Sequence, residues 1–367
     1  MFFNLGRRRP GLYLHIGQPK SGTTSLQDFL SLEREQLREQ GFLYPRLSQV
    51  ENENAHHALS YDVREETVPG LRMTPHDPSR NARVWEQLAR AVRHTACPTV
   101  ILSSEDFYFL DDNGARRRSA VALLANRLKP LFSSVTVVAY LRRQDEHVES
   151  WCNELVKYGF RRNTHDIATL AESLPACHSD YHMLRQLWVR SFGEDAVVFR
   201  AFRRDRLKNG SIVDDFCELV GYQPSSRLAD FSHRNLRLTR LGFEVTRHLN
   251  RFEHSLPVHR RAVDLIRELA VEPPGDPGAE APFEYFREPL RDKWRRSNRA
   301  LRLDFSDPLL EQRETQVRPY CLWQPPDLEA LRQAALRAAL EDDRCAAAAG
   351  ALVAAAIDVM RTEYHAL

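Results

Sequence analysis

Short apolar runs alternate along the first two thirds of the chain with stretches whose apolar residues recur at helical spacing. The strand-like runs are Leu12–Ile16, Thr99–Leu102, Val135–Leu141 and Ala196–Phe199. The helical patterns are Thr24–Gln40, Ala82–His94, Ala115–Leu128 and Ile212–Val220. Short apolar runs are typical of parallel strands that are covered on both faces. Strands that alternate with helices in this way predict an α/β fold with a doubly wound parallel sheet flanked by helices.

The strand pattern stops after about Ser226, and the remaining chain is predicted to be helical. The expected helices are Leu238–Phe252, Arg260–Leu269, Phe283–Arg299 and a stretch from Leu328 to the end. Residues 272–282 are rich in proline and glycine, which favours a surface loop. We therefore predict an α/β core over residues 1–225 and a helical C-terminal portion over residues 226–367 that packs on it.

Composition narrows the class of protein. The 367 residues carry a formal net charge of only +2, which disfavours a nucleic-acid binder. The longest apolar run, Ala346–Ile357, is too short to span a bilayer, and the N-terminus lacks the order of a signal peptide. The six cysteines show no CxxC pair and no zinc-ligand spacing. These features predict a cytoplasmic protein with free thiols, no bound metal and no transmembrane segment.

A loop between the first strand and the first helix carries the clearest chemistry. The segment His15–Ser25 reads HIGQPKSGTTS. Backbone N–H groups at such a turn converge on one point, and the helix dipole favours an anion there. Gly22 allows close approach of the backbone, Thr23 and Thr24 add hydroxyl donors, and Lys20 adds a mobile positive charge. In a Walker A loop the lysine follows the last glycine, whereas here it precedes it.

The order PKSGTT resembles the loop of sulfotransferases that use 3'-phosphoadenosine 5'-phosphosulfate (PAPS). The longer segment Leu14–Gln27, LHIGQPKSGTTSLQ, is similar to the opening of bacterial carbohydrate-type members. The resemblance covers roughly residues 12–221 and implies a P-loop-like fold. It also implies that the loop holds the 5'-phosphosulfate of the donor through Lys20, Ser21, Gly22, Thr23, Thr24 and Ser25.

A second match follows the strand Val135–Leu141. Arg142 stands at the end of that strand, and Ser150 follows eight positions later on a predicted helix. The resemblance implies that this pair binds the 3'-phosphate of the donor, and an arginine fork with a hydroxyl at a helix start suits an anion. The chain departs from many members at Arg143-Gln144, and Arg143 is a candidate to share the role of Arg142.

Four residues are candidates for the base that deprotonates the acceptor. Glu105 is preferred, because it follows a strand at the carboxyl edge of the sheet, where open α/β sheets place their sites. Its neighbour Asp106 is an alternative, and Glu105 could instead cap the next helix. His56 and His57 suit proton transfer near neutral pH, although they could be a solvated surface pair.

Taken with the resemblance, these residues predict a PAPS-dependent sulfotransferase that releases adenosine 3',5'-bisphosphate (PAP). Lys20 would act with Glu105 or His57 in catalysis, and no metal is required in principle. The expected acceptor is a hydroxyl on a carbohydrate or glycoconjugate, such as a glycan or glycolipid. The alternatives are a P-loop kinase or NTPase-like phosphotransferase, and a binding module that has lost activity.

Overall fold

The chain forms a five-stranded sheet and a set of α-helices among the residues that its computed structural model describes. Those residues are 8–47, 54–67, 78–110, 119–158, 162–175, 178–224, 238–270, 293–295, 297–301, 325–340 and 343–365. The strands are β1 (Gly11–His15), β2 (Phe42–Leu43), β3 (Thr99–Ser103), β4 (Ser134–Leu141) and β5 (Val197–Ala201). The helices are α1 (Thr23–Leu32), α2 (Arg34–Glu39), α3 (His57–Thr67), α4 (Pro78–His94), α5 (Ala120–Leu128), α6 (Gln144–Lys157), α7 (Ile167–Ser173), α8 (Tyr181–Phe192), α9 (Ile212–Val220), α10 (Arg240–Leu249), α11 (Leu256–Leu269), α12 (Pro325–Ala338) and α13 (Arg344–His365).

The strands form one parallel sheet in the order β2-β3-β1-β4-β5, which confirms the predicted α/β class. β1 lies at the centre, with His15 opposite Ser103 of β3 and Val138 of β4. The last five residues of β4 are all buried, as a strand covered on both faces requires. β2 was not predicted, because two residues are too short to show a periodic pattern.

Local signals in the sequence set the ends of several helices. Ser119 and Ser211 cap α5 and α9 by accepting hydrogen bonds from Ala122 N and Asp214 N. Gly221 ends α9 in the left-handed conformation with φ 80°, where a glycine costs little. A buried core joins α1, α2 and α9 to one face of the sheet. It contains Phe29, Tyr140 and Phe216, which are fully buried.

Two long helical predictions are each divided into two helices. The stretch Thr24–Gln40 breaks at Glu33 between α1 and α2. The stretch from Leu328 breaks between α12 and α13. Gly350 explains how α13 approaches α12, since a Cβ there would lie only 2.4 Å from Ala339 N. The predicted helix Phe283–Arg299 lies mostly outside the described residues.

The structure divides into two compact units. The first contains residues 1–143, 175–233 and 294–305, and the second contains residues 144–174, 234–293 and 306–367. In this division α6 and α7 group with the later helices, and the predicted boundary at residue 225 stays a prediction. Asn153 of α6 shows the reason locally: its side chain donates to Leu238 O and accepts from Leu238 N.

The second unit is built around α13. Its buried residues include Ala349, Val353 and Ile357, which pack in one core with residues of α6, α7, α10, α11 and α12. Among the described residues, one helix, α13, has the length and apolar composition that a membrane span would need. Of its most apolar stretch, 44% is buried inside the protein. Asp358 near its end pairs with Arg332 of α12 at 2.6 Å.

Candidate functional site

Four of the connections that leave the sheet at its carboxyl edge carry most of the sequence-predicted residues of the first unit, and His56 and His57 lie between β2 and β3. The loop after β1 leads to α1, and Ser104 follows β3. Arg142 follows β4, and Phe202 follows β5. The strands are parallel and adjacent, so these four connections meet along one edge. In open α/β sheets this edge is where ligands bind.

The loop between β1 and α1 has an unusual backbone. Gly17, Lys20 and Gly22 have φ values of 64°, 70° and 80°. The left-handed region is costly for lysine, so the surrounding structure must hold Lys20 there. Alternation of left-handed and right-handed residues turns successive N–H groups to one side and forms an anion-binding concavity. The backbone of this loop is therefore shaped for an anion.

Both glycines of the loop stand where a side chain would collide with neighbouring residues. A Cβ at Gly17 would lie 2.7 Å from Glu105 Cα. A Cβ at Gly22 would lie 3.1 Å from Phe202 Cε2 and 3.1 Å from Ile212 Cγ2. The loop is consequently fixed between the connection that follows β3 and the connection that follows β5.

α1 begins directly at the end of this loop. Gly22 occupies the N-cap position and has no side chain to cap the helix, and the first turn holds no acidic residue. The N–H groups of Thr23, Thr24 and Ser25 therefore stand in the first turn, where α-helices offer donors to an anion. Thr24 is exposed, Ser25 is half-buried and Thr23 is buried.

Ser21 makes two hydrogen bonds within the loop between β1 and α1. Its hydroxyl donates to Gln18 O at 2.6 Å, and its backbone N–H donates to the same oxygen at 3.1 Å. Both donors are thus used to close the loop on itself. Ser21 therefore stabilises the turn of the loop Gly17–Gly22, called the phosphate loop below, and its predicted contact with the donor stays a prediction.

Arg142 is held at the end of β4 through its backbone. Its N–H donates to Gln18 Oε1 at 2.7 Å, and its carbonyl accepts from the Tyr181 hydroxyl at 2.6 Å. Its guanidinium carbon lies 5.2 Å from the centre of the Phe202 ring. The same ring borders Gly22, so Phe202 lies beside both the phosphate loop and the arginine. Arg143, the candidate to share its role, is 8% exposed.

Ser150 lies on α6, as predicted, and is half-buried. This helix belongs to the second unit, whereas Arg142 belongs to the first. The pairing of Ser150 with Arg142 at one phosphate therefore stays a prediction from their spacing in the sequence.

A compact hydrogen-bonded group joins the start of α3 to the segment after β3. It consists of His57, Ser104 and Asp106. His57 Nδ1 lies 2.6 Å from Asp106 Oδ2 and 2.8 Å from Ser104 Oγ. A carboxylate can only accept, so Nδ1 carries a proton on its Asp106 side and the basic nitrogen of the neutral ring is Nε2. Nε2 faces Glu105 Oε2 at 4.0 Å. The structure thus brings His57 and Glu105 together although 48 positions separate them.

Glu105 is oriented by a residue from α1. Gln27 Nε2 donates to Glu105 Oε2 at 2.7 Å and to Ser103 Oγ at 3.3 Å. These two bonds fix the orientation of the carboxylate relative to α1 and β3. The alternative that Glu105 caps the next helix is not observed, because Ser104 accepts from Asp106 N and caps the 3₁₀ helix Glu105–Phe109.

His56 has a structural position. It is 1% exposed, it accepts from Ser103 N through Nδ1 at 3.0 Å, and its Nε2 lies 3.0 Å from Pro45 O. Burial lowers its pKa to about 4, and its hydrogen bonds to Pro45 and Ser103 oppose this shift in part. His56 therefore ties the start of α3 to β3 in its neutral form, while its neighbour His57 turns towards the acidic pair.

Sequence reasoning missed four residues that build this edge: Gln18, Gln27, Phe202 and Tyr181. Gln27 had a readable signal, since it lies four residues after Thr23 and therefore one helical turn along α1. The other three gave none, because their contacts join segments that are far apart in the chain. Tyr181, for example, bonds to a backbone oxygen 39 positions away.

Comparisons with known proteins add little to this geometry. No family model matches the chain. A protein of Archaeoglobus fulgidus, described only as uncharacterized, is 28% identical over 134 residues, which are 36% of this chain and 35% of that protein. The chain thus spans about a third of this relative's length.

Two solved structures are similar in part. One is a sulfotransferase from Alicyclobacillus acidocaldarius, with 14% identity, a TM-score of 0.42, and coverage of 82% of this chain and 98% of that one. The other is the sulfotransferase domain from the curacin biosynthetic pathway, with 12% identity, a TM-score of 0.38, and coverage of 82% and 100%. At these scores the likeness carries no argument about activity, which has to come from the site itself.

The buried histidine His56 predicts how stability changes with pH. Its pKa in the folded chain, about 4, lies below the ordinary value of 6.5, so the unfolded chain binds more protons between these values. The contribution of His56 to the free energy of unfolding is therefore fully present above pH 6.5 and is lost as the pH falls towards 4. We expect His56→Gln to lower the free energy of unfolding at pH 7 by on the order of 1–3 kcal/mol and to make its loss below pH 6.5 less steep.

Urea denaturation at pH 7, 5.5 and 4.5 measures both effects. His94→Gln is the matched control, because His94 is exposed at the end of α4. An acid sensitivity that is the same in His56→Gln as in the unaltered protein would contradict this role of His56.

Proposed function

We propose that the protein is a sulfotransferase that moves a sulfuryl group from PAPS to an acceptor hydroxyl. The observation that carries the proposal is the loop from Gly17 to Gly22, which contains three left-handed residues and leads into a helix whose N-cap has no side chain. Arg142 lies beside this loop at the end of the neighbouring strand β4. Two separate anion sites at one sheet edge suit a donor with anionic groups at both its 5' and 3' positions. The PKSGTT order supports the same donor.

The phosphate loop is proposed to bind the 5'-phosphosulfate. The N–H groups of the first turn of α1, with the Thr24 and Ser25 hydroxyls, offer donors to its oxygens. Lys20 stands in the strained part of the loop. As the bond from sulfur to the bridging oxygen breaks, negative charge grows on the 5'-phosphate, and an ammonium group stabilises that charge more in the transition state than in the ground state.

The 3'-phosphate is proposed to bind at Arg142, with Ser150 as the second ligand that the resemblance implies. The support from the structure is that Arg142 has both backbone polar groups fixed and that its guanidinium lies by Phe202. An arginine whose backbone is held in place loses less freedom when it binds an anion.

Glu105 is proposed as the base. It takes the proton of the acceptor hydroxyl while the acceptor oxygen bonds to sulfur and the bridging oxygen leaves with PAP. Its support is Gln27, which orients the carboxylate from the same helix that begins at the phosphate loop. His57, at 4.0 Å from that carboxylate and paired with Asp106, is the second candidate for the same proton. The proposed acceptor is a sugar hydroxyl of a glycan or glycolipid.

The donor proposal predicts selective binding of PAP. Isothermal calorimetry should show much tighter binding of PAP than of AMP or ATP, because only PAP fills both anion sites. Arg142→Ala should weaken PAP binding by on the order of 2–4 kcal/mol and leave AMP binding nearly unchanged. Arg190→Ala, at an exposed arginine of α8, is the matched control. Equal affinity of the unaltered protein for PAP and AMP would refute the donor assignment.

The base assignment predicts distinct effects for three conservative variants. Glu105→Gln keeps the shape and removes the basic oxygen, so turnover should fall by roughly 100-fold or more while PAP affinity stays nearly constant. Asp106→Asn should have a smaller effect, because Asp106 contacts His57 and lies one step from the proposed base. The measurement is kcat and KM for the three variants Glu105→Gln, Asp106→Asn and His57→Asn.

If His57 were the base, the pattern would reverse. Asp106→Asn would then leave the ring in the wrong tautomer and cause a severe loss, and His57→Asn would abolish turnover. Near-normal turnover of Glu105→Gln together with these losses would assign the base to His57.

A further inference from the structure

The side chain of Gln18 uses every hydrogen-bonding group that it has. It is 0% exposed and lies inside the phosphate loop, between Gly17 and Pro19. Its Nε2 donates to the hydroxyl oxygens of Tyr108 at 3.0 Å and Tyr181 at 2.9 Å. Its Oε1 accepts from Arg142 N at 2.7 Å. A buried amide with all its groups paired holds its neighbours in one arrangement.

The directions of these bonds form a closed ring through Arg142. Nε2 has only hydrogens to give, so the Tyr181 oxygen must accept from it. The single hydrogen of the Tyr181 hydroxyl is then directed to Arg142 O, at 2.6 Å. Gln18 and Tyr181 together fix the N–H and the carbonyl of Arg142. Tyr108 shares the Gln18 amide, whereas the two bonds to the Arg142 backbone come from Gln18 and Tyr181.

This ring joins the two proposed anion sites. Gln18 belongs to the phosphate loop, and its own carbonyl closes that loop by accepting from the Ser21 hydroxyl. Its side chain reaches the strand end that carries Arg142, which is 124 positions away. One buried amide and one buried hydroxyl therefore tie the loop to the arginine, in addition to the pairing of β1 with β4.

We propose that Gln18 and Tyr181 are positioning residues that set the distance between the phosphate loop and Arg142, and so determine selectivity for a nucleotide with a 3'-phosphate. The inference rests on the proposed function, because it takes Arg142 as the 3'-phosphate ligand. Both side chains are fully buried and uncharged, so they act on the nucleotide through the residues that they hold.

The test compares the ratio of PAP affinity to AMP affinity among three variants. Tyr181→Phe removes the hydroxyl that serves both Gln18 and Arg142. Gln18→Met keeps a side chain of similar length without polar groups. Tyr108→Phe is the matched control: it also removes one buried tyrosine hydroxyl that accepts from Gln18, yet it leaves both bonds to Arg142 in place. Calorimetry gives the two affinities for each protein.

We expect Tyr181→Phe and Gln18→Met to reduce the ratio by on the order of 10-fold, through weaker PAP binding at nearly constant AMP binding. Tyr108→Phe should change it by less than about 3-fold. A loss that affects PAP and AMP equally, or an equal drop in the Tyr108→Phe control, would indicate a general effect on packing and would overturn the inference.

Hydrogen exchange at the Arg142 amide separates this inference from the proposed function, since it needs no nucleotide. Gln18→Met should speed exchange there, because the amide loses its acceptor, and Tyr108→Phe should not. Unchanged exchange in Gln18→Met would refute the tie between loop and arginine even if PAP is the ligand. Faster exchange in a protein that does not distinguish PAP from AMP would support the tie and refute the proposed function.

Discussion

The first turn of α1 has backbone N–H donors, and its N-cap residue, Gly22, has no side chain to accept from them. The rest of the candidate site is arranged around these donors. Such donors need an acceptor, and an anion at a helix start supplies one. The loop before α1 depends on this arrangement, because it adopts left-handed conformations at Gly17, Lys20 and Gly22 to bring the helix start to the sheet edge. The residues around it secure that backbone through Glu105, Phe202 and Ile212.

The chemistry of the edge follows from the order of the strands. β1 lies between β3 and β4, so the phosphate loop has the proposed acid–base group on one side and Arg142 on the other. Gln27 extends from α1 to the first side, and Gln18 extends from the loop to the second. Two glutamines thus connect the proposed sulfuryl site to the proposed base and to the proposed 3'-phosphate site.

Much of the fold could be predicted from the sequence because its signals are local. Strand β4 and helix α9 have the predicted bounds within one residue, since a β-branched run and a serine-to-glycine pair mark them. The loop between β1 and α1 could be predicted because all its parts are contiguous. The division of the helices could not be predicted in the same way, because the assignment of α6 to the second unit depends on contacts such as Asn153 with Leu238.

The arrangement of side chains in the site also depends on contacts between distant segments, which the sequence does not reveal. Glu105 and His57 were each candidates from local context, but their proximity, and the pairing of His57 with Asp106, depend on where α3 packs. The buried role of His56 also required the structure, since adjacent histidines give no sign of which one faces inward. Gln18 shows this dependence most clearly, because its three partners come from three distant segments.

Transfer of a labelled sulfuryl group tests the central claim most directly. The protein is incubated with sulfur-labelled PAPS and a panel of glycan, glycolipid and phenolic acceptors, and labelled acceptor and PAP are both measured. The account predicts a labelled hydroxyl-bearing acceptor with one PAP released for each label transferred, and retention of this activity in the presence of EDTA. Magnesium-dependent hydrolysis of ATP, with no transfer from PAPS to any acceptor class, would contradict it.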